Sequence, residues 1–311
     1  MIRYICKRLL EAIPVLLIVA TLTFFLTRIA PGGPFDQERN LPPEIEKQLN
    51  QYYGFDQSLY KQYFDYLSKL IRGDLGPSFK YSGWTVNEII AGALPVSAEL
   101  GAYALLVAVG VGVSAGMCAA LFPNRFGDHL PMAFAMMGIC LPTFVLGPLL
   151  ILVFSLTLGW FNASGWIYPE DRVLPALTLG FYYAAYIARL TRGGILEMMT
   201  QDFIRTARAK GAGEFRVLVC HAARGGLVPV ISFMGPAMAG LVTGSFVVET
   251  IFQIPGLGQY FVNAAFNRDY TMVLGTVLFY ATFIVFFNLV VDLVLVWLNP
   301  AESFESKPAA L

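Results

Sequence analysis

The sequence has little of what metal sites, disulfide frameworks and thiol chemistry need. Its 311 residues include four cysteines, two histidines and no CxxC pair. The cysteines are Cys6, Cys118, Cys140 and Cys220. None of them lies in the longest polar segment, Ala30 to Pro95, so the sequence predicts neither a disulfide framework nor a thiol metal site. The histidines, His129 and His221, are too far apart in sequence to suggest a metal cluster.

Charge is also scarce. Only 14% of the residues are charged while 57% are hydrophobic, and the mean hydropathy is +0.62. Soluble domains are nearer a quarter charged, so the composition indicates an integral membrane protein. Lys and Arg total 21 and match the 21 Asp and Glu, so bulk charge predicts no nucleic-acid partner.

The chain lacks a phosphate-binding loop, because no GxxxxGK[ST] sequence occurs. A chain without this loop has no cradle for the phosphates of ATP. We therefore expect no nucleotide or other cofactor on this chain. If ATP drives its function, hydrolysis has to take place on another polypeptide.

The apolar residues fall into stretches long enough to cross a bilayer, which takes about 20 residues in a helix. Six spans are predicted: Leu9–Thr27, Leu100–Leu121, Leu130–Phe161, Leu174–Leu196, Leu227–Val248 and Met272–Leu298. The third contains Pro142 and Pro148, so we expect it to kink, tilt or extend beyond the bilayer. No small-x-small pattern follows the first span, which favours an uncleaved anchor over a signal peptide.

Cations gather in two short segments. The N-terminus and the loop between the fourth and fifth spans carry Arg3, Lys7, Arg8, Arg205, Arg208, Lys210, Arg216 and Arg224. The positive-inside rule places both segments, and with six spans both termini, in the cytoplasm. The sequence thus predicts an all-α integral membrane protein with six transmembrane helices and a polar outer segment between spans one and two.

The outer segment is predicted to be helical. Pro42-Pro43-Glu44 opens a short helix over 45–53, and a second pattern of apolar residues runs from Leu59 to Ile71 before Gly73. Thr85 and Glu88 form a capping-box pattern that opens a third helix.

A charged interruption between two apolar stretches runs from Asp202 to Glu214. Asp202 suits the positive end of a short helix, and Gly211 suits the left-handed position after its last turn. Gly213 with Glu214 can open a second helix. A loop that only sets topology would explain the cations but not the paired glycines. We therefore favour a docking element for a partner in the aqueous phase.

Four residues in the spans are candidates for a pathway or gate: Pro142, Gly240, Glu249 and Asp292. Glu249 fits an outer gate and a turn cap equally well. For Asp292 a bond to a neighbouring helix is favoured over a proton relay. Gly240 lies in a small-residue stripe that serves helix packing or a bendable pathway helix. Tyr182 and Tyr183 are predicted to lie in an interfacial aromatic belt.

Several motifs carry a family resemblance. The run Phe203–Gly211, followed by His221-Ala222-Ala223-Arg224, resembles the cytoplasmic coupling loop of ABC importer permeases of the peptide and nickel class. Further similar motifs are Gly73–Ser78, Ile187–Arg192, Val248–Phe252 and Pro255–Gly258. Leu41–Glu44 and Gly76–Tyr81 look most like the B-type membrane subunit of oligopeptide importers. The resemblance extends from Met1 to about Pro300.

The resemblance implies a type I ABC importer permease fold in a bacterial inner membrane, with a periplasmic outer segment. It implies a coupling loop that binds a separate ATPase through Asp202, Arg205, Thr206, Ala207, Arg208, Ala209, Lys210, Gly211, Gly213 and Glu214. The implied partners are a second homologous permease in a heterodimer, two ATPase subunits that bind Mg-ATP, a periplasmic peptide-binding protein and the lipid membrane.

The chain departs from the broader pattern at three places. Arg205-Thr206-Ala207 replaces an acid and two alanines, and Ala223-Arg224 replaces a Leu-Pro. The tail has Ala301-Glu302-Ser303 where relatives often carry basic residues. By segment, the reading is an anchor helix over 1–29, a periplasmic part over 30–96, a five-span core over 97–299 with a coupling loop at 197–224, and a cytoplasmic tail over 300–311.

The function expected from the resemblance is ATP-driven import of oligopeptides. Import of dipeptides, glutathione or nickel by the same class is the alternative. A secondary transporter working alone has only Asp292 in its favour, since no inverted repeat is visible. An intramembrane hydrolase is less favoured still, because Ser155 and Ser245 have no nearby histidine in sequence.

Overall fold

The computed structural model describes residues 2–29, 54–242 and 246–298, and these residues are almost entirely helical. The helices are α1 (Ile2–Ile29), α2 (Leu59–Ile71), α3 (Val86–Leu121), α4 (Phe126–Cys140), α5 (Thr143–Leu150), α6 (Val173–Met199), α7 (Asp202–Ala209), α8 (Glu214–Arg216), α9 (Ala223–Gly226), α10 (Val228–Val242), α11 (Phe246–Ile251), α12 (Leu257–Phe266) and α13 (Tyr270–Leu298). The helix predicted over 45–53 lies outside the described residues.

The predicted membrane spans are confirmed. Five helical stretches are long and apolar enough to cross a bilayer, and there are six if α4 and α5 together form one span. That pair is bent by 109° at the break before Pro142, and α5 continues as a π-helical turn over Ile151–Thr157. The expected kink in the third span is therefore present, at the proline where the chain leaves the helical hydrogen-bond ladder.

The described chain divides into two compact units. The first comprises the described residues of Met1–Pro95 and Leu257–Phe283. Its α2 spans the predicted Leu59–Ile71, and Gly73 follows with φ +75°. Its buried core joins α3, α12 and α13 through Val86, Ile90, Leu257 and Met272.

The predicted capping box opens α3 in this unit. The backbone N–H of Thr85 donates to Glu88 Oε2 at 2.8 Å, and the Glu88 N–H donates to Thr85 Oγ1 at 3.3 Å. These reciprocal bonds satisfy two donors that the first helical turn leaves unpaired. The helix consequently begins at Val86, well before the apolar stretch predicted from Leu100.

The second unit comprises the described residues of Val96–Gly256 and Ile284–Leu311. Its central element is α6, whose span is 56% buried, against 17% for the span formed by α1. The core around it contains Leu100, Leu174, Leu241 and Phe252. Small residues permit this burial, as a Cβ at Gly138 would overlap the carbonyl oxygen of Phe181. Close backbone approach of this kind is how helices pack in lipid, where apolar burial gives no drive.

Candidate functional site

The charged loop is joined directly to the buried helix α6. Near the end of α6 the backbone passes so close to α9 that a Cβ at Gly194 would overlap the carbonyl oxygen of Gly226. A Cβ at Gly226 would in turn lie 2.9 Å from the backbone nitrogen of Ile195. The segments that precede and follow the charged loop are therefore held together by backbone contact.

The first loop helix, α7, is fixed by two apolar side chains. Ile204 is completely buried and Ala207 is 7% exposed, and both pack with Val217 and Leu218. The same cluster includes Ile195 of α6. Ile204 and Ala207 therefore point inward and anchor the loop to the end of α6.

A glycine ends α7 in the predicted left-handed conformation. Gly211 has φ +83°, its N–H donates to the Arg208 carbonyl at 2.9 Å, and the Ala212 N–H donates to the Ala207 carbonyl at 3.1 Å. This pair of bonds is the Schellman closure of a helix C-terminus. The next helix, α8, begins after Gly213, which has an extended backbone with φ −68° and ψ 155°. The helix–turn–helix form predicted for the loop is confirmed.

A charged pair braces the turn from outside. Arg208 Nε donates to Glu214 Oε1 at 2.8 Å and Arg208 Nη2 donates to Glu214 Oε2 at 3.0 Å. These bonds hold the pKa of the Glu214 carboxyl below its usual value. The stabilisation they give is present above the ordinary glutamate pKa and is lost as the pH falls through the lowered one. The brace is thus intact at neutral pH.

The outer surface of the loop combines cations with aromatic rings. Arg205, Thr206, Ala209 and Lys210 are exposed, and Arg205 Nη1 donates to Oδ1 of the exposed Asp202 at 3.2 Å. Phe203 is 47% exposed and Phe215 is 73% exposed. Sequence reasoning did not assign these two rings to the site. An aromatic residue inside a polar loop was the available signal, since aromatic and arginine side chains are enriched where proteins bind each other.

The four candidate pathway residues have different surroundings. Pro142 is exposed at the bend between α4 and α5. Gly240 lies beside Tyr183, whose hydroxyl would be 2.6 Å from a Cβ at that glycine. Asp292 is partly buried in α13. The pathway or gate role of these residues stays a prediction.

Glu249 is completely buried in α11. The Ser97 hydroxyl donates to its Oε1 at 2.8 Å. A Cβ at Gly256 would lie 2.5 Å from the carboxylate carbon of Glu249, so only glycine fits at 256 without movement. The carboxylate is therefore packed against the backbone of the turn that follows α11.

Among the described residues no group of three or more His, Cys, Asp or Glu side chains could hold a metal ion.

Two further polar pairs lie in the second unit. Arg192 makes a bidentate contact with Asp128, both N···O distances being 2.7 Å, and Arg172 donates to Glu99 at 3.0 Å. Sequence reasoning missed these pairs, which join residues far apart in the chain.

The fold is that of a type I ABC importer permease. It is built from helices, its third span is bent, and a charged loop follows α6. A structure described as "Crystal structure of an amino acid ABC transporter with histidines" superposes with a TM-score of 0.51 at 16% sequence identity. The superposition covers 66% of this chain and 92% of that one, and it bears on the fold alone.

The chain belongs to the family of inner membrane components of binding-protein-dependent transport systems. Residues 112–303 match the family described by those words, and residues 1–98 match the family described as the N-terminal part of such membrane components. The matches together cover most of the chain, so this protein is a multi-pass membrane subunit of a transporter.

Curated relatives match almost end to end. The oligopeptide transport system permease protein OppB of Haemophilus influenzae is 46% identical over 302 residues, covering 96% of this chain and 99% of that protein. OppB of Salmonella typhimurium is 50% identical over 276 residues, covering 88% and 90%. The dipeptide transport system permease protein DppB of Bacillus subtilis is 42% identical over 307 residues, covering 99% and 100%.

Proposed function

We propose that this protein is a membrane permease subunit of an ATP-driven importer of oligopeptides. The observation that carries the proposal is the exposed, internally braced loop Asp202–Glu214, joined to the buried helix α6, in a chain with no nucleotide-binding motif. The names of the OppB relatives support the oligopeptide as substrate. The B. subtilis relative supports import of dipeptides as the second candidate.

The proposed partner of the loop is the ATPase. Phe203 and Phe215 would enter an apolar cleft, while Arg205 and Lys210 would face its acidic rim. Nucleotide-driven movement of the ATPase would then displace α7. Since Ile204 packs in one cluster with Ile195, that displacement would be passed to the inner end of α6.

The proposed setting is the inner membrane of a bacterium, with the N-terminus and the Asp202–Glu214 loop in the cytoplasm. A second permease, two ATPase subunits and a periplasmic peptide-binding protein would complete the importer. Neither the selectivity nor the length of the peptide would be set by this chain alone, since the binding protein delivers it.

Reconstitution tests the proposal. The chain is incorporated into proteoliposomes with the second permease, the ATPase subunits and the binding protein encoded with it, and uptake of radiolabelled tri- to pentapeptides is measured with internal ATP. We expect uptake to require every component and to stop when ATP is replaced by a non-hydrolysable analogue.

The matched control omits only the ATPase subunits and imposes proton or sodium gradients instead. Peptide uptake under those conditions would contradict the proposal in favour of a secondary transporter. Uptake of dipeptides in place of longer peptides by the complete system would favour the second candidate.

A further inference from the structure

The exposed face of α6 extends from Tyr182 to Glu197. Only four residues of this helix are exposed: Tyr182, Arg189, Gly193 and Glu197. They recur at two-turn and one-turn spacing, so they lie along one face, and the half-buried Tyr186 falls on the same face between the first two. No aliphatic side chain of α6 is exposed.

This face does not suit lipid. The span formed by α1 shows what a lipid-facing surface looks like, because its exposed side chains include Leu10, Ile13, Leu22 and Leu26. Hydrocarbon offers no hydrogen bonds, so hydroxyl and guanidinium groups in a span turn toward polar surroundings. Tyr182 lies near the middle of the helical stretch Pro169–Met199, and its interfacial position stays a prediction.

Arg189 is the charge on this face that has no acidic partner among the described residues. Its Nη2 contacts Met136 Sδ at 3.4 Å, a weak acceptor. Arg192, less than one turn further along, shows the contrasting case of a guanidinium bound by both oxygens of Asp128. Arg189 also lies roughly 15 Å along the helix from Met199, at about 1.5 Å per residue. Its cation is therefore placed within a span and available to a carboxylate.

Tyrosine rings extend the face into a cluster. The rings of Tyr182 and Tyr186 are 5.5 Å apart, and Tyr186 stacks on Phe233 of α10 at 5.7 Å. Tyr183 contacts Tyr182 at 5.2 Å and places its hydroxyl beside Gly240. Aromatic rings pack against side chains of many kinds, and hydroxyls both donate and accept hydrogen bonds. This combination suits a peptide backbone whose side chains vary.

We propose that this face of α6 contacts the peptide during translocation, with Arg189 pairing with a peptide carboxylate and Tyr182 and Tyr186 bonding the peptide backbone. The occupant follows from charge complementarity around Arg189: a substrate with peptide groups and at least one carboxylate matches hydroxyls and one available guanidinium. The exposed Glu197 lies about two turns further along, near the end of the helix. The inference rests on the proposed function and names the residues through which this chain meets its substrate.

The test compares peptides that differ only in their carboxylates. Proteoliposomes with the complete transporter are given a neutral tetrapeptide acid, its C-terminal amide, and the amide carrying one internal glutamate. Binding protein is added at saturation, as measured separately for each peptide. Wild-type protein is expected to import the acid faster than the amide. Arg189→Gln is expected to import the acid roughly tenfold more slowly, the size expected when a charged hydrogen bond is lost, and to lose the preference.

The glutamate-bearing amide separates the two sources of the carboxylate. Import faster than the plain amide means that a side-chain carboxylate suffices, and import at the rate of the plain amide assigns Arg189 to the C-terminus. Arg189→Lys keeps the charge and is expected to retain part of the preference. Arg125→Gln is the matched control, because Arg125 is an exposed cation on the turn between α3 and α4, and it should behave as wild type.

A second measurement covers the case in which Arg189→Gln fails to assemble. A photo-crosslinking amino acid in place of Tyr182 should capture radiolabelled peptide during ATP turnover. If the transporter imports peptide but gives no crosslink, the inference is overturned. It is also overturned if wild type imports acid and amide equally, or if Arg189→Gln keeps the preference for the acid. If the purified Arg189→Gln variant no longer retains the second permease, Arg189 is assigned to a contact between subunits, and the inference is overturned as well. Failure of wild type to import any peptide would count against the proposed function instead.

Discussion

Gly211 and Gly213 lie two residues apart and meet different demands. Gly211 has φ +83°, a region that favours glycine, and nothing lies within 4 Å of a Cβ placed there. Gly213 has φ −68° with ψ 155°, which other residues adopt readily, and it too has open space around it. The two positions therefore separate backbone strain from steric contact.

We predict that Gly211→Val weakens the coupling of ATP hydrolysis to uptake while the protein still inserts into the membrane. A β-branched residue at positive φ is strained by about 1–3 kcal/mol, which opens the Schellman closure of α7. The measurements are peptide uptake and transport-stimulated ATPase activity in proteoliposomes. Gly213→Val is the comparison, because it adds the same side chain to the loop without backbone strain, and it should lose less coupling than Gly211→Val. Equal activity of both variants with wild type would contradict the prediction.

At the scale of elements, α4 is tied to α6 by the bidentate contact of Arg192 with Asp128. The Asp128 side chain is 3% exposed and that of Arg192 is 30% exposed. Asp128 also accepts the backbone N–H of Asn124 at 2.8 Å. One carboxylate thus holds the turn before α4 and the inner part of α6 together.

We predict that Asp128→Asn lowers the stability of the detergent-purified transporter by roughly 3 kcal/mol, because it leaves a guanidinium without its charged partner. This is the lower end of the range, since Arg192 keeps some solvent exposure. Asp202→Asn is the control, as it removes an exposed pair with Arg205 worth about 0–1 kcal/mol. The readout is the midpoint of thermal unfolding, and similar midpoints for the two variants would refute the assignment.

The elements that hydropathy and capping chemistry determine could be predicted, while those that depend on packing could not. The start of α3 was predicted by its capping box rather than by its apolar stretch, because reciprocal hydrogen bonds extend a helix into polar sequence. The Arg192–Asp128 contact escaped prediction because the two residues meet only after α4 packs on α6. Packing also decides why Ile204 is buried while Phe215 is exposed. Ile204 faces the end of α6, and Phe215 faces away from it.

The whole molecule is expected to have one orientation in the membrane, which its own cysteines can report. Cys220 is exposed in the loop on the proposed cytoplasmic side, and Ser82 is exposed in the proposed outer segment. In a chain whose other cysteines are replaced by serine, a membrane-impermeant maleimide should label Ser82→Cys in intact right-side-out vesicles. Cys220 should react only after the vesicles are opened.

The reverse labelling pattern would invert the orientation and place the Asp202–Glu214 loop outside, where no ATPase is available. Labelling of both sites in intact vesicles would show leaky vesicles, which a cytoplasmic marker enzyme detects independently. The expected pattern would support the positive-inside assignment for every loop at once, since an even number of spans separates the N-terminus from the coupling loop.

The brace between Arg208 and Glu214 has a mechanical meaning. A flexible loop between the ATPase and the membrane helices would bend and absorb the movement of the ATPase. This turn is closed by two backbone hydrogen bonds and by the two hydrogen bonds of Arg208 to Glu214, so it would deform little. A force applied to α7 would then be transmitted through its buried apolar side chains to Val217 and Leu218. Stiffness at this turn would set how much of each ATP-driven stroke arrives at the membrane.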